Sequence, residues 1–323
     1  MQRKMSNKKK AESKKFSWRI FGIVLILILT IVMVIGIKSI RLNPVGLVLH
    51  EENEFVMYPE KNKRIVLEGL LGRVALDDNG EKGIYLQSVS NDHVQVAEVD
   101  LKTGKIKTLI TAKQLEIGME KAGETAYTGR TENRPKSIKY VKNADAVSFI
   151  WENSLYTMDL DKGRVQCILK DYEQSPLAVE GLDYEWIDEN RLVYVTVDEF
   201  NSVFQYDLLT DKRQFIHYGS GVCAYDEDEK IVCHHQYIRN STTWITYYEF
   251  SVINMKTLEE EKVSTHKIDA MLSKCVEHVI FQTDGNGAVL WGEENGNKLY
   301  VSDYRSRITW IKILPGKKVY SIL

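Results

Sequence analysis

LYTMDLDKGRVQCIL, residues 155–169, decides the fold. Two short alternating runs flank Asp159 and Gly163. Period-two alternation places successive side chains on opposite faces of a strand. The Asp can accept hydrogen bonds from backbone amides just after it, and the Gly supplies a positive φ for a bulged turn. The segment therefore reads as a β-hairpin. VAEVDLKTGKIKTLI repeats it around Asp100, VFQYDLLTDKRQFI around Asp207, EFSVINMKTLEEEKV around Asn254 and LYVSDYRSRITWIKI around Asp303. A degenerate copy, FVMYPEKNKRIVL, lies around Tyr58. These six positions are separated by 42, 59, 48, 47 and 49 residues, a spacing that marks stacked supersecondary units.

A second hairpin precedes each full copy, as in GLDYEWIDENRLVYVTV (181–197) and GVCAYDEDEKIVCHH (221–235). Two hairpins make a four-stranded antiparallel unit, the content of a propeller blade. No stretch beyond residue 44 shows a ten-residue helical period. The first copy lacks an innermost strand, and residues 319–323 form a strand with no unit of its own. Donating that strand to the first unit closes the ring and removes an exposed edge. The expected fold class is all-β: a six-bladed β-propeller of four-stranded antiparallel blades, preceded by one transmembrane helix.

The segments SFIWENSLYTMDLDKG (148–163) and TDGNGAVLWGEENGNKLYVSD (283–303) resemble the TolB-like, WD40-like (PD40-type) propeller repeats of bacterial envelope proteins. The resemblance covers most of 45–323. It departs from the family pattern where the Asp-Gly turn is lost and where Asn254 replaces Asp. It implies a binding or scaffolding platform with no family-wide catalytic residue.

Residues 20–37 are eighteen uncharged, mostly aliphatic residues bracketed by Arg19 and Lys38. At about 1.5 Å per residue they span roughly 27 Å, close to a hydrocarbon core. Eight Lys/Arg precede the span and two closely follow it, which places the N-terminus in the cytoplasm. The expected organisation is a basic cytoplasmic tail (1–19), a transmembrane signal anchor (20–37), a linker (38–44) and an extracytoplasmic domain (45–323). No Ala-x-Ala-like site follows the span, which argues against a cleaved signal peptide.

The whole chain has 43 Lys/Arg and 45 Asp/Glu. Residues 1–41 hold ten of the former and one of the latter, so the remainder carries net charge −11. That excess disfavours nucleic acid, and by the same reasoning anionic lipid headgroups and other polyanions.

Catalytic, metal and cofactor signatures are absent from this reading. The seven histidines are scattered, and His234 and His235 as strand neighbours point apart. The stretch around Ser220 fails the G-x-S-x-G pattern and its strand-to-helix context. Asp226–Glu229 lacks the central Gly and closing Glu of a calcium loop. Of the tryptophans, 151, 186, 291 and 310 suit packing between blades, whereas Trp244 sits in a polar stretch.

Counting outward from the 226–230 turn sets Cys223 opposite Cys233, within reach of a disulfide, and two reduced buried cysteines are the alternative. The longest blade-to-blade connections are 113–136 and 264–277, and 239–243 is the longest loop within a blade. All three are expected on one rim. Lys113, Arg130, Arg134, Tyr237, Arg239 and Trp244 are its candidate binding residues. The expected function is non-catalytic binding of a protein or cell-envelope ligand. The alternatives are a glycan-cleaving or cyclising propeller enzyme, which would carry carboxylates on innermost strands, and a cell-wall carbohydrate-binding module.

Overall fold

The computed structural model describes residues 46–323, apart from 61, 90–92, 171–182, 197–200, 227–229, 241–244, 264–278, 284–287, 294–297, 304–307, 314–317 and 323. The expected span at 20–37 and the tail before it lie outside these residues. No helix among the described residues is long and apolar enough to cross a membrane.

Among the described residues twenty-four strands follow the expected repeat, and one α-helix interrupts it. β1 (Leu47–Glu51), β2 (Glu54–Tyr58) and β3 (Ile65–Val66) are joined by β4 (Leu70–Leu76), β5 (Lys82–Ser88), β6 (Val94–Asp100) and β7 (Ile106–Ile110). Helix α1 (Ala112–Lys121) leads to β8 (Lys136–Tyr140), β9 (Ala146–Trp151), β10 (Ser154–Asp159) and β11 (Val165–Leu169). Next come β12 (Tyr184–Trp186), β13 (Arg191–Thr196), β14 (Ser202–Asp207) and β15 (Lys212–Tyr218). β16 (Gly221–Asp226), β17 (Lys230–Asn240), β18 (Ile245–Asn254) and β19 (Glu260–Val263) form the following set. The chain ends with β20 (Val279–Thr283), β21 (Ala288–Glu293), β22 (Lys298–Asp303), β23 (Ile308–Ile313) and β24 (Lys318–Ile322).

These strands pair into six four-stranded antiparallel sheets. Five use consecutive strands. The other has the order β24-β1-β2-β3, with Leu47 opposite Ile322 and His50 opposite Lys318. The C-terminal strand thus supplies the innermost position that the first repeat lacks. First strands of successive sheets touch, β4 with β8, β12 with β16, β16 with β20 and β20 with β24. Those edges converge, and the fourth strands lie outside. All sheets belong to the unit Pro44–Leu323.

Apolar faces meet between consecutive sheets. Val48, Met57 and Leu67 pack with Val74, Tyr85 and Val99. Leu86 and Val96 pack with Phe149, Trp151 and Tyr156. Ile150 and Leu155 meet Tyr184, Trp186 and Leu192, and Val195 and Val203 meet Val222, Ile231 and Cys233. Trp151 and Trp186 are thus buried between sheets, as expected.

The repeated turn works as its sequence suggested. Asp100 accepts from the Thr103 amide at 2.6 Å, Asp159 from Lys162 at 2.9 Å and Asp207 from Thr210 at 2.9 Å. These backbone bonds hold the Asp100 and Asp207 carboxyls below their ordinary range. Asn254 accepts from Lys256 and Thr257 at 2.9 and 3.1 Å, so the departure from Asp keeps the same bond. The left-handed residue is Gly104, Gly163, Asp211 or Leu258 in turn. Leu258 at φ 59° is sterically strained there, whereas glycine is not.

Two expectations need correcting. Residues 112–121 form a helix where none was expected. Its signature is short: the Thr111 hydroxyl and Gln114 form a capping box, and Leu115, Gly118 and Met119 make one buried stripe. The cysteine register also slips. A bulge between Ala224 and Asp226 pairs Cys223 with Val232 and Cys233 with Val222. Neighbouring strand positions face opposite ways, so the two thiols lie on different faces of the sheet. No disulfide joins them. Burial, with Cys223 and Glu260 nearby, pushes the Cys233 thiol well above its ordinary value.

Alkylation of the unreduced, denatured protein is therefore expected to modify both Cys223 and Cys233, with Cys233 unreactive in the native state. A proteolytic fragment pair joined through 223 and 233 in intact-mass analysis overturns this register. Removing 318–323 is expected to lower the melting temperature and expose the β1 edge to proteolysis, because every β1–β24 hydrogen bond is lost. A truncated chain that melts like the full one would show that closure contributes nothing.

Candidate functional site

In a four-stranded antiparallel blade, the second-to-third strand loops and the blade-to-blade connections lie at one end. The first-to-second and third-to-fourth turns lie at the other. The connection 111–135 dominates the first, or connector, end. Leu115 and Met119 of α1 are fully buried beside Val96 and Val165. A Cβ on Gly118 would stand 2.6 Å from Val165 Cγ2, so the helix sits tight against β11. Its outer side exposes Lys113, Glu116, Ile117, Glu120 and Lys121.

The rest of the connection is folded too. Val94 donates its amide to the Gly129 carbonyl at 2.9 Å, and His93 bridges Arg130 through backbone. Trp151 Nε1 donates to Asn133 Oδ1 at 3.0 Å, and Asn133 donates to the Ala126 carbonyl at 3.1 Å. Tyr127 meets the Trp151 ring edge-on at 5.7 Å, and Tyr156 donates to Glu124 at 2.6 Å. Desolvation raises the Tyr127 hydroxyl far above its usual range. The insertion therefore belongs to the core between two sheets.

The structure separates the expected site residues. Lys113 and Arg130 are exposed on this connection, Arg130 with an ion pair to Glu132 at 3.8 Å. Arg134 is half-buried and donates to the Pro135 carbonyl at 3.4 Å. Tyr237 and Arg239 lie on β17, so 239–243 is not wholly a loop. Pairing continues as Tyr237 with Tyr247 and Ile238 with Thr246. The aromatic and β-branched residues on both arms favour that extension. β16 reaches only as far as His234 and β19 only Phe250, so the β17–β18 ribbon runs past its own sheet. Trp244, and the connection 264–277, lie outside the described residues. The ribbon shares the connector end with α1, yet two sheets, β8–β11 and β12–β15, stand between them.

Sequence reading missed the polar seam between the innermost strands β8 and β12. Lys139 Nζ contacts Glu185 Oε2 at 2.7 Å, with side chains only 10% and 18% exposed. Lys139 also lies 5.6 Å over the Tyr184 ring. The Ser137 hydroxyl donates to Asp183, and Tyr184 donates to the Ser137 carbonyl at 2.7 Å. Trp186 Nε1 donates to Ser148 Oγ at 2.8 Å. A bulge between Lys136 and Lys139 puts Ser137 at φ 52° and turns it toward Asp183. The alternation within KSIKY and DYEW was legible, but their side-by-side placement was not. Carboxylates do stand on or beside an innermost strand, each engaged by a neighbouring side chain.

No known protein family matches the chain, and no curated protein matches it. Among solved structures it is similar to TolB from Acinetobacter baumannii, at 15% identity and a TM-score of 0.54. That likeness covers 83% of this chain and 61% of the TolB chain. The Nidogen/Laminin complex gives 8% identity and a TM-score of 0.51, covering 86% of this chain and 94% of that one. At such identities the likeness is one of fold. The chain carries an all-β, TolB-like propeller fold of four-stranded antiparallel blades.

Lys139→Met leaves the Glu185 carboxylate in a largely dry seam and is expected to cost about 3 kcal/mol of stability. Adding Glu185→Leu should recover most of that loss in denaturant titrations. A single variant as stable as the parent would show that the pair does not bind the sheets.

Proposed function

We propose that this chain is a membrane-tethered, extracytoplasmic β-propeller that binds a protein or cell-envelope ligand without chemistry. On this reading the six sheets are six blades around one channel, with β24 completing the first. Residues 20–37 are the anchor, and the connector end is the working surface.

The observation that carries the reading is the folded connection 111–135. Ring closure does not require it, since the step from β3 to β4 uses three residues, 67–69. A long, ordered segment on a rigid scaffold commonly carries recognition. Here it presents Lys113, Ile117, Lys121 and Arg130 outward while its other side is buried. One structure with a similar fold is a complex of two proteins, nidogen and laminin, which agrees with protein binding.

Because Leu115, Met119 and Tyr127 are buried, excising the segment would damage the fold, so the test uses outward residues. A photo-crosslinking residue at Lys113 or Ile117 of the full chain, in its native membrane, is expected to give discrete adducts. Glu120→Lys with Lys121→Glu should diminish them without changing the melting temperature. Adducts arising only from positions at the turn end, such as Lys162, would move the working surface to the opposite face.

A further inference from the structure

A histidine crosses the outer seam between the sheets β12–β15 and β16–β19. His217 lies on β15, the fourth strand of one sheet, and Glu260 on β19, the fourth strand of the next. His217 Nε2 stands 3.4 Å from Glu260 Oε1, with side chains 24% and 31% exposed. The other ring nitrogen, Nδ1, stands 2.5 Å from the Tyr218 carbonyl oxygen. Glu260 Oε1 also accepts from the Ser251 hydroxyl at 2.6 Å, which holds the carboxylate to its own sheet.

The strand itself turns His217 toward the seam. In the β14–β15 ladder Val203 pairs with His217 and Phe204 with Phe215, so Ile216 is the extra residue of a bulge. Ile216 packs with Val203, Val222 and Cys233 where the two sheets meet. The bulge breaks the alternation, and His217 therefore shares the face of Val203 instead of opposing Ile216. Across the seam, Ser251 pairs with Cys233 and so shares the face that meets it.

Both partners of the ring are acceptors. A backbone carbonyl has no proton to give, and an ionised carboxylate has none. Neutral imidazole carries one N–H, so either tautomer turns a bare nitrogen toward one of these two oxygens. Imidazolium donates at both nitrogens and satisfies both. The count is the same if the proton sits on the carboxyl. Made either way, the contact holds one proton more than a neutral imidazole and a separate carboxylate. The surrounding charges are mixed. Register puts Asp207 and Lys212 on the His217 face of the first sheet. On the facing sheet it puts His235, Glu249 and Lys262 on the face that carries Ser251 and Cys233.

We propose that His217 and Glu260 form a proton-operated clasp across this seam. Protonated, the imidazole ties β15 to β19. Deprotonated, it faces an acceptor and the contact opens. Closure therefore holds at low pH and is lost as pH rises through the interval in which histidine ordinarily gives up its proton, about 5 to 8. The β16–β19 sheet bears the β17–β18 ribbon, so the proton sets how firmly the ribbon's sheet is held to its neighbour. The clasp requires neither a membrane anchor nor a bound ligand, and stands or falls apart from both.

Hydrogen–deuterium exchange on the full chain tests it at about pH 5 and about pH 8, with labelling times scaled to the intrinsic amide rate. Peptides from β15 and β19 are expected to exchange about two- to five-fold more slowly at the lower pH, the range of a partly exposed ion pair. Peptides from β9 and β10 should show no such difference. His217→Gln should abolish the difference and leave exchange at the faster level. Glu260→Gln offers an amide N–H to the neutral ring, so slow exchange should persist at both pH values. Equal exchange at both pH values in the parent overturns the proposal, and so does a difference that survives either substitution. If one variant fails to fold, the parent's pH difference and the other variant decide.

Discussion

A sheet of four strands has two edges, and each presents backbone groups that must find partners or stay in water. When β24 pairs with β1, the last segment of the chain completes the first sheet, and the sheet order becomes β24-β1-β2-β3. That pairing joins strands about 270 residues apart in sequence, so its closure entropy is offset by the packing of the sheets between them. Once made, it sets Leu47 beside Ile322 and so decides at which end the chain enters the propeller. The division into a turn end and a connector end follows from it, and the proposed working surface depends on that division.

Between the sheets, apolar burial contributes most of the stabilisation, distributed as four interfaces among the described residues. The polar seam of Ser137, Lys139, Asp183 and Glu185 interrupts this pattern near the converging edges. A buried ion pair adds little net stability over a hydrophobic substitute, but losing one partner is severe. Its contacts are made in the observed alignment of β8 against β12. The bulge at Lys136–Lys139, with Ser137 in a left-handed conformation, brings the hydroxyl to Asp183.

The two ends differ in how they are elaborated. Turn-end hairpins stay short because the Asx-type bond and the left-handed residue close them in a few positions, and variation is confined to which side chains project. At the connector end the chain is longer, through α1 and its trailing segment between two sheets and through the β17–β18 ribbon. Both additions are structured, one through buried side chains and the other through ladder pairing. A scaffold with uniform short turns on one side and extended elements on the other can present two surfaces independently.

Sequence alone determined the repeat, the four-stranded unit, the strand that completes the first sheet and the capping role of Asp100, Asp159 and Asp207. These follow from local rules: alternation at period two, amide-accepting side chains at turns, and a near-constant spacing between copies. It did not reveal α1, whose ten residues carry only a capping box and three inward positions inside a charged stretch. It misjudged the cysteine register because a bulge between Ala224 and Asp226 adds one unpaired position that no count from the turn could include. The Lys139–Glu185 seam was beyond reach because its partners are 46 residues apart and meet only when neighbouring sheets stack. Only the stacking of neighbouring sheets decided which of these residues meet, because the tertiary fold sets side by side positions that lie about one repeat apart in the sequence.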